Sequence, residues 1–290
     1  MPTRRDILAY VPFRYTRPPL TQHLLVGSIL LAAVLVGSTH WGAEQWAKLV
    51  EGRSPRLLLV GGLMALHTAV YWSVGLFFHQ VDLTDRPAYV ARYRIQSVRR
   101  KHPSFEQTVR VLARNQFIFL PVLLMAMGEV LVMRGWEVET QLPTLGRFVL
   151  ELIGQTACAL VIFYVSHRTL HRKFWMKRVH WVHHQFRTTT ALASEYAHPI
   201  EFAVGNFFTL AGGALLIGPH LATMYVFALV SVLTILVHHS GYALPWAPYS
   251  LPHDWHHYRV KELFGTTGLI DRWLGTDQEF RTLEHDQEVR

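Results

Sequence analysis

The chain has 290 residues, of which 50% are hydrophobic and only 17% charged. It is long for one soluble domain, and that balance points to a membrane protein. The net charge of +8 comes from basic residues scattered beside apolar stretches, with no continuous basic stripe, which argues against nucleic-acid binding.

In chain order, residues 24–39, 57–78, 117–133 and 148–165 read as membrane spans, the first without an ionisable group and the others with His67, Glu129 and Glu151 respectively. Each is near the roughly 17 to 25 residues that a bilayer helix requires. The first follows more than twenty residues of leader and precedes further spans, so it reads as a retained anchor and not a cleaved signal. Residues 202–217 and 221–237 are also apolar, and Gly218-Pro219-His220 between them would break a single helix. They read as a hairpin that leaves and returns on one side.

Positive charge is enriched in cytoplasmic loops. Arg4, Arg5, Arg14 and Arg17 precede the first span, and the segment from His79 to Gln116 is strongly basic. The other loops carry little, with Lys48, Arg53 and Arg56 in one and Arg134 and Arg147 in the other. The N-terminus, the central loop and the chain after Val165, apart from the hairpin tip, are therefore expected in the cytoplasm. Cys158 is the sole cysteine and lies in a span, which excludes an internal disulfide and a thiolate cluster. Any metal must be held by nitrogen and oxygen.

Of the 18 histidines, twelve fall between His167 and His257. They are arranged as His167-x3-His171, His180-x2-His183-His184, His238-His239 and His253-x2-His256-His257, with His198 and His220 between. On a helix, residues four apart differ by about 40° and residues three apart by about −60°, so each cluster is expected to show one imidazole face. A single structural zinc takes at most four ligands, so nine or ten histidines imply two metals. The first two clusters follow the fourth span and the last two follow the hairpin, so all four are expected at the cytoplasmic membrane surface, outside the spans.

These motifs resemble the fatty acid hydroxylase, or sterol desaturase, superfamily of membrane di-iron enzymes. The resemblance runs from Tyr93 to Phe280 and rests on Tyr93-Arg-Ile-Gln96, the histidine clusters, Glu195-Tyr-Ala-His-Pro-Ile-Glu201, His239-Ser-Gly-Tyr242 and the tail from Gly268 to Asp277. The methylsterol monooxygenase and fatty-acid-hydroxylase-domain branch is the most similar. It implies that His167, His171, His180, His183, His184, His239, His253, His256 and His257 are iron ligands, with His198 as a tenth candidate. His220 and His238 are set aside.

Ligating imidazoles give their other N–H to a carboxylate or carbonyl, which makes Asp254, Glu195 and Glu201 candidate partners of the ligands. His23, His40, His79, His102 and His285 read as surface or interface polarity. His67, Glu129 and Glu151 read as packed, hydrogen-bonded groups, and Gly212, Gly213, Phe207 and Phe208 as helix packing and not a substrate box.

The expected fold is all-α, an integral membrane bundle of four spans plus a helical hairpin under a cytoplasmic histidine-rich helical cap. Residues 1–145 would anchor and residues 146–290 would form the catalytic domain. The resemblance implies an O2-dependent monooxygenase or hydroxylase of lipid biosynthesis acting on a sterol C4-methyl or fatty acyl C–H bond with two Fe ions, zinc being the alternative occupant in purified material. No nucleotide loop or haem signature is present, so NAD(P)H electrons would arrive through a separate reductase and a small b-type cytochrome. The membrane would be endoplasmic reticulum in a eukaryote and the inner membrane in a bacterium. A desaturase with the same site is one alternative. A non-catalytic metal-binding protein or a transporter is another, although a transporter would carry midplane charges and repeated spans.

Overall fold

The computed structural model describes residues 20–96 and 101–288, and it is helical throughout, with no strand among the described residues. Arg4, Arg5, Arg14 and Arg17, on which the expected orientation partly rests, lie outside those residues. Six helices are long and apolar enough to cross a membrane: α1 (Leu20–Gly37), α3 (Leu57–Thr84), α4 (Phe105–Met133), α5 (Leu145–Leu170), α6 (Pro199–Ile217) and α7 (Leu221–His239). The short helix α2 (His40–Val50) joins the first two. Large apolar side chains point outward along them, including Leu31, Leu150, Ile153 and Val165. Only a hydrocarbon surround covers such a surface without cost. The protein is an integral membrane helical bundle.

The helices run past the apolar stretches that reveal them. Thus α4 begins at a capping box in which Ser104 Oγ accepts from Gln107 N–H and Gln107 Oε1 accepts from Ser104 N–H, twelve residues before the apolar run starting at Phe117. The consequence for the histidines is a correction. His167 and His239 stand in the last turns of α5 and α7 and are carried on the spans themselves.

The hairpin α6–α7 reaches the opposite end of the bundle. Gly218 makes the turn in the left-handed region (φ 63°), and His220 Nδ1 caps α7 by accepting from Ala222 N–H at 3.0 Å. Trp136 Nε1 donates to Pro219 O and His220 Nε2 to Gln141 O, tying the tip to the loop between α4 and α5. Below the tip, Glu151 of α5 accepts from Thr223 Oγ1 (2.6 Å), His220 N–H and Arg147. Helices α5 and α6 lie close together at Gly213, where a Cβ would lie 2.7 Å from Gln155 Cα. Glu129 pairs with Arg56, and His67 with Glu195. Of the three ionisable groups within spans, His67 and Glu151 are packed and hydrogen-bonded as expected, whereas Glu129 is exposed and meets its cost through an ion pair with the exposed Arg56.

The cap is built from turns and short helices. After α5 come a π-helical turn (Met176–His180) and 3-10 turns at His183–Gln185 and Ala191–Glu195. After α7 come α8 (Leu251–Arg259), with Pro252 in its first turn, then α9 (Leu269–Leu274) and α10 (Gln278–Glu288).

Candidate metal centre

The nine histidines expected to act together converge at one end of the bundle as two groups. His167, His171, His180, His184 and His256 form the first, and His183, His239, His253 and His257 the second. Each H-x-x-H-H motif is divided between them, which corrects the expectation of one face per cluster. Partners four apart (167/171, 180/184, 253/257) stay in one group, while the intervening His183 and His256 cross to the other. The physical reason is azimuth: adjacent positions on a helix differ by about 100°, so the third and fourth residues after a given one cannot serve the same point.

Within each group the ring Nε2 atoms face one another. His171 Nε2 is 2.9 Å from that of His180 and 3.1 Å from that of His256, and His184 is 3.0 Å from His180. In the second group, His253 is 2.8 Å from His239 and 3.1 Å from His257, and His239 is 3.3 Å from His183.

The opposite ring nitrogens are pinned. His167 Nδ1 donates to Phe264 O (2.8 Å), His256 to Glu262 O (2.6 Å), His257 to Phe186 O (2.9 Å), His183 to Tyr196 O (3.3 Å) and His239 to Ile235 O (2.8 Å). His180 Nδ1 donates to the buried carboxylate of Glu201 at 2.7 Å. A carbonyl only accepts, so these rings carry their proton on Nδ1 and turn a lone pair inward.

Those lone pairs test the fit of a metal. His183 and His239 both hold their protons on carbonyls, and their bare Nε2 atoms face each other at 3.3 Å. Such an arrangement repels unless a cation lies between the nitrogens. Two nitrogens bound about 2.1 Å from one ion stand about 3.0 to 3.4 Å apart at octahedral to tetrahedral angles, close to the spacings here. Burial holds His183 down at about 4 and His256 at about 3, and pushes His171, His180, His184, His253 and His257 below the usual imidazole range. Neutral imidazole is the ligating form, so the site fits a metal pair.

The carbonyls are delivered by a strained turn. Val260 (φ 63°) and Leu263 (φ 60°) lie in the left-handed region, which a β-branched valine rarely enters. Between and after them, Glu262 O and Phe264 O reach His256 and His167. Asp271 fixes the turn by accepting from Phe264 N–H, Gly265 N–H and Thr276 Oγ1, and Glu262 by accepting from Trp255 Nε1 at 2.6 Å. This accounts for the tail motif around Asp271.

Residues 152–276 match the fatty acid hydroxylase family. The chain is also 32% identical to fatty acid hydroxylase domain-containing protein 2 of Homo sapiens, over 83% of this chain and 76% of that protein. The chain belongs to the fatty acid hydroxylase family. Other relatives of this family member are a very-long-chain aldehyde decarbonylase of Oryza sativa (33% identity, 77% of this chain and 87% of the relative) and methylsterol monooxygenase 2-2 of Arabidopsis thaliana (31%, 82% and 93%). No solved structure matches it.

In this fatty acid hydroxylase family member the other candidate side chains are placed differently. His198 caps the start of α6, its Nδ1 accepting from Ile200 N–H, and stands outside both groups. Glu195 accepts from His67 Nε2 and Gln116 Nε2, which ties α3 and α4 to the loop before α6. Asp254 accepts from Gln96 Nε2 (2.9 Å) and Thr189 Oγ1 (2.6 Å), holding α8 against two loops and explaining the Tyr93–Gln96 motif. Glu201, one of the three carboxylates expected to partner a ligand, is the one found on a clustered imidazole, 21 residues from His180 in sequence.

A cavity of about 830 Å³ opens beside both groups and runs down between the helices. One stripe of α5 (Leu152, Thr156, Ala159, Phe163, His167) forms a wall along it. Phe207 of α6 lines it as well, so the hairpin contributes to the cavity in addition to its glycine packing.

Proposed function

We propose that the chain is a lipid-modifying oxidoreductase, an O2-dependent hydroxylase holding two irons, one in each imidazole group. The observation that carries this reading is the pair of inward-facing imidazole groups at the end of an apolar cavity of about 830 Å³, a volume that suits a sterol or a fatty acyl chain. The relatives named as a monooxygenase and a hydroxylase-domain protein support it.

Iron supplies the activation of dioxygen, chemistry that no protein side chain offers. The overall change is R–H + O2 + 2 electrons + 2 protons → R–OH + H2O. The protein's share is to bind and orient. The cavity takes the lipid from the bilayer, and the leucine and phenylalanine wall of α5 keeps water from the C–H bond. Carbonyls and Glu201 hold the rings in the ligating tautomer.

Electrons come from NAD(P)H through a separate reductase and a small cytochrome, docked at the basic end of the bundle, near Arg86 and Arg92, on the cytoplasmic side. The test is metal analysis together with lipid profiling of purified, reductase-supplied protein. Two irons per chain and a lipid product heavier by one oxygen are expected. One zinc per chain with no oxygen consumed would overturn the reading.

A further inference from the structure

The cavity is apolar for most of its length, yet Gln155 and His67, which belong to neither imidazole group, bring buried unmet nitrogens to it. Gln155 lines it from α5 with 1% of its surface exposed, and its Nε2 makes no hydrogen bond. His67 lines it from α3. Its Nε2 donates to Glu195, and its Nδ1 is buried without a partner. A buried amide nitrogen and a buried ring nitrogen left unmet carry a desolvation cost that nothing in the protein offsets.

The two groups stand at one depth. On the continuous helix α5, Gln155 precedes His167 by twelve residues, about 18 Å along the axis. The Glu151–Thr223 hydrogen bond places Gln155 one turn further along, beside the middle of α7. Gly62 packs on Tyr225 and Gly75 against Leu236, so α3 runs alongside α7 in the same direction and His67 is level with the same part of it. The two unmet nitrogens thus face the cavity from two walls within about one helical turn of each other.

We infer that the cavity binds a lipid lengthwise, with a neutral oxygen, a hydroxyl or carbonyl, held at the level of Gln155 and His67. The carbon presented to the histidines is then the remote one, about 18 Å or roughly fourteen extended carbon–carbon bonds away. The oxygen is neutral because Arg272 is the sole Lys or Arg side chain lining the cavity and it belongs to α9 at the histidine end, whereas Glu195 lies at the polar level. A carboxylate there would be uncompensated. A sterol oxidised beside its own hydroxyl would instead lay its apolar tail against both unmet groups. The inference rests on the proposed lipid oxidation, but its test does not.

Metal-loaded protein is incubated with tritiated hexadecan-1-ol and competed with unlabelled hexadecan-1-ol or hexadecane. Wild type should hold the alcohol at least about tenfold more tightly than the alkane. Gln155→Met, of similar volume, should bring that preference within about twofold while keeping both metals. Its alcohol-free melting temperature should be no lower than wild type, since an unmet amide has been removed. A merely structural glutamine would lower that temperature and leave the preference intact.

Hexadecan-1-ol carrying a diazirine at C14 should photolabel the segment around Phe163 and His167, and one carrying it at C2 the segment around Gln155. The reversed pattern, or a Gln155→Met protein that still prefers the alcohol, would overturn the inference. Intact Gln155-dependent binding with no oxidation of any lipid by the reductase-supplied protein would count against the enzymatic reading alone.

Discussion

The two imidazole groups share a floor and differ in their walls. The first has five nitrogens, takes two of them from α5, includes the half-exposed His171, and has a carboxylate on one ring through Glu201. The second has four, all buried, and its pinned rings are held by backbone carbonyls. A six-coordinate metal in the first would have one position left and in the second two. Glu201 orients the His180 ring from a side chain, where the second group is oriented by the backbone. The difference assigns the more saturated environment to the first group and the more open one to the second.

Removing one nitrogen separates the groups most sharply. His239→Ala leaves three in the second group, and we expect bound iron to fall from two to one per chain and lipid oxidation to drop at least about a thousandfold. His171→Ala leaves four in the first, and a loss of only about 10–100-fold in affinity is expected. Equal metal loss in the two variants, read by elemental analysis, would erase the distinction. Next in size is Glu201→Gln, which should weaken the first metal about 10–100-fold and leave the second unaffected.

Acid acts on both groups. The histidines titrate lower in the folded chain than the usual value of about 6.5, so the unfolded chain takes up protons first. Stability of the metal-free protein is therefore full above about 6.5 and lost as the pH falls toward about 4 and about 3, the values of His183 and His256. Unfolding midpoints of metal-free protein measured between pH 7.5 and 5 should fall steadily, and metal should raise the midpoint at every pH without removing that slope, because a ligated imidazole also binds no proton. A flat profile without metal would contradict neutral, buried imidazoles. The smallest effect belongs to Asp254→Asn, which loosens α8 where it carries ligands for both groups. A cost of about 1–3 kcal/mol is expected, with both metals weakened alike, in contrast to Glu201→Gln.

Much of this was legible locally. Apolar runs located all six long helices, and the three ionisable groups inside them proved to be paired, His67 and Glu151 in the packed interior and Glu129 on the exposed face. Helix limits were less legible because they are set by caps such as Ser104 and Thr144 and not by hydropathy. The partition of the nine histidines was hidden for a different reason. Helix azimuth separates His183 from His180/His184 and His256 from His253/His257, but it does not say which separated ring joins which group, and that is set by how α8 crosses the turns carrying His180 and His183. Carboxylate roles were the least legible, since Glu201, Glu195 and Asp254 find partners far away in sequence or on loops.

The sequence alone determined that the chain is helical and apolar, which histidines come together and that the site offers nitrogen and not sulfur, because these follow from composition and short-range spacing. Tertiary structure decided which nitrogen belongs to which group, which carbonyl or carboxylate turns each ring, and where Gln155 and His67 meet the cavity. Those depend on the angles at which distant segments cross, and no local pattern encodes an angle between segments.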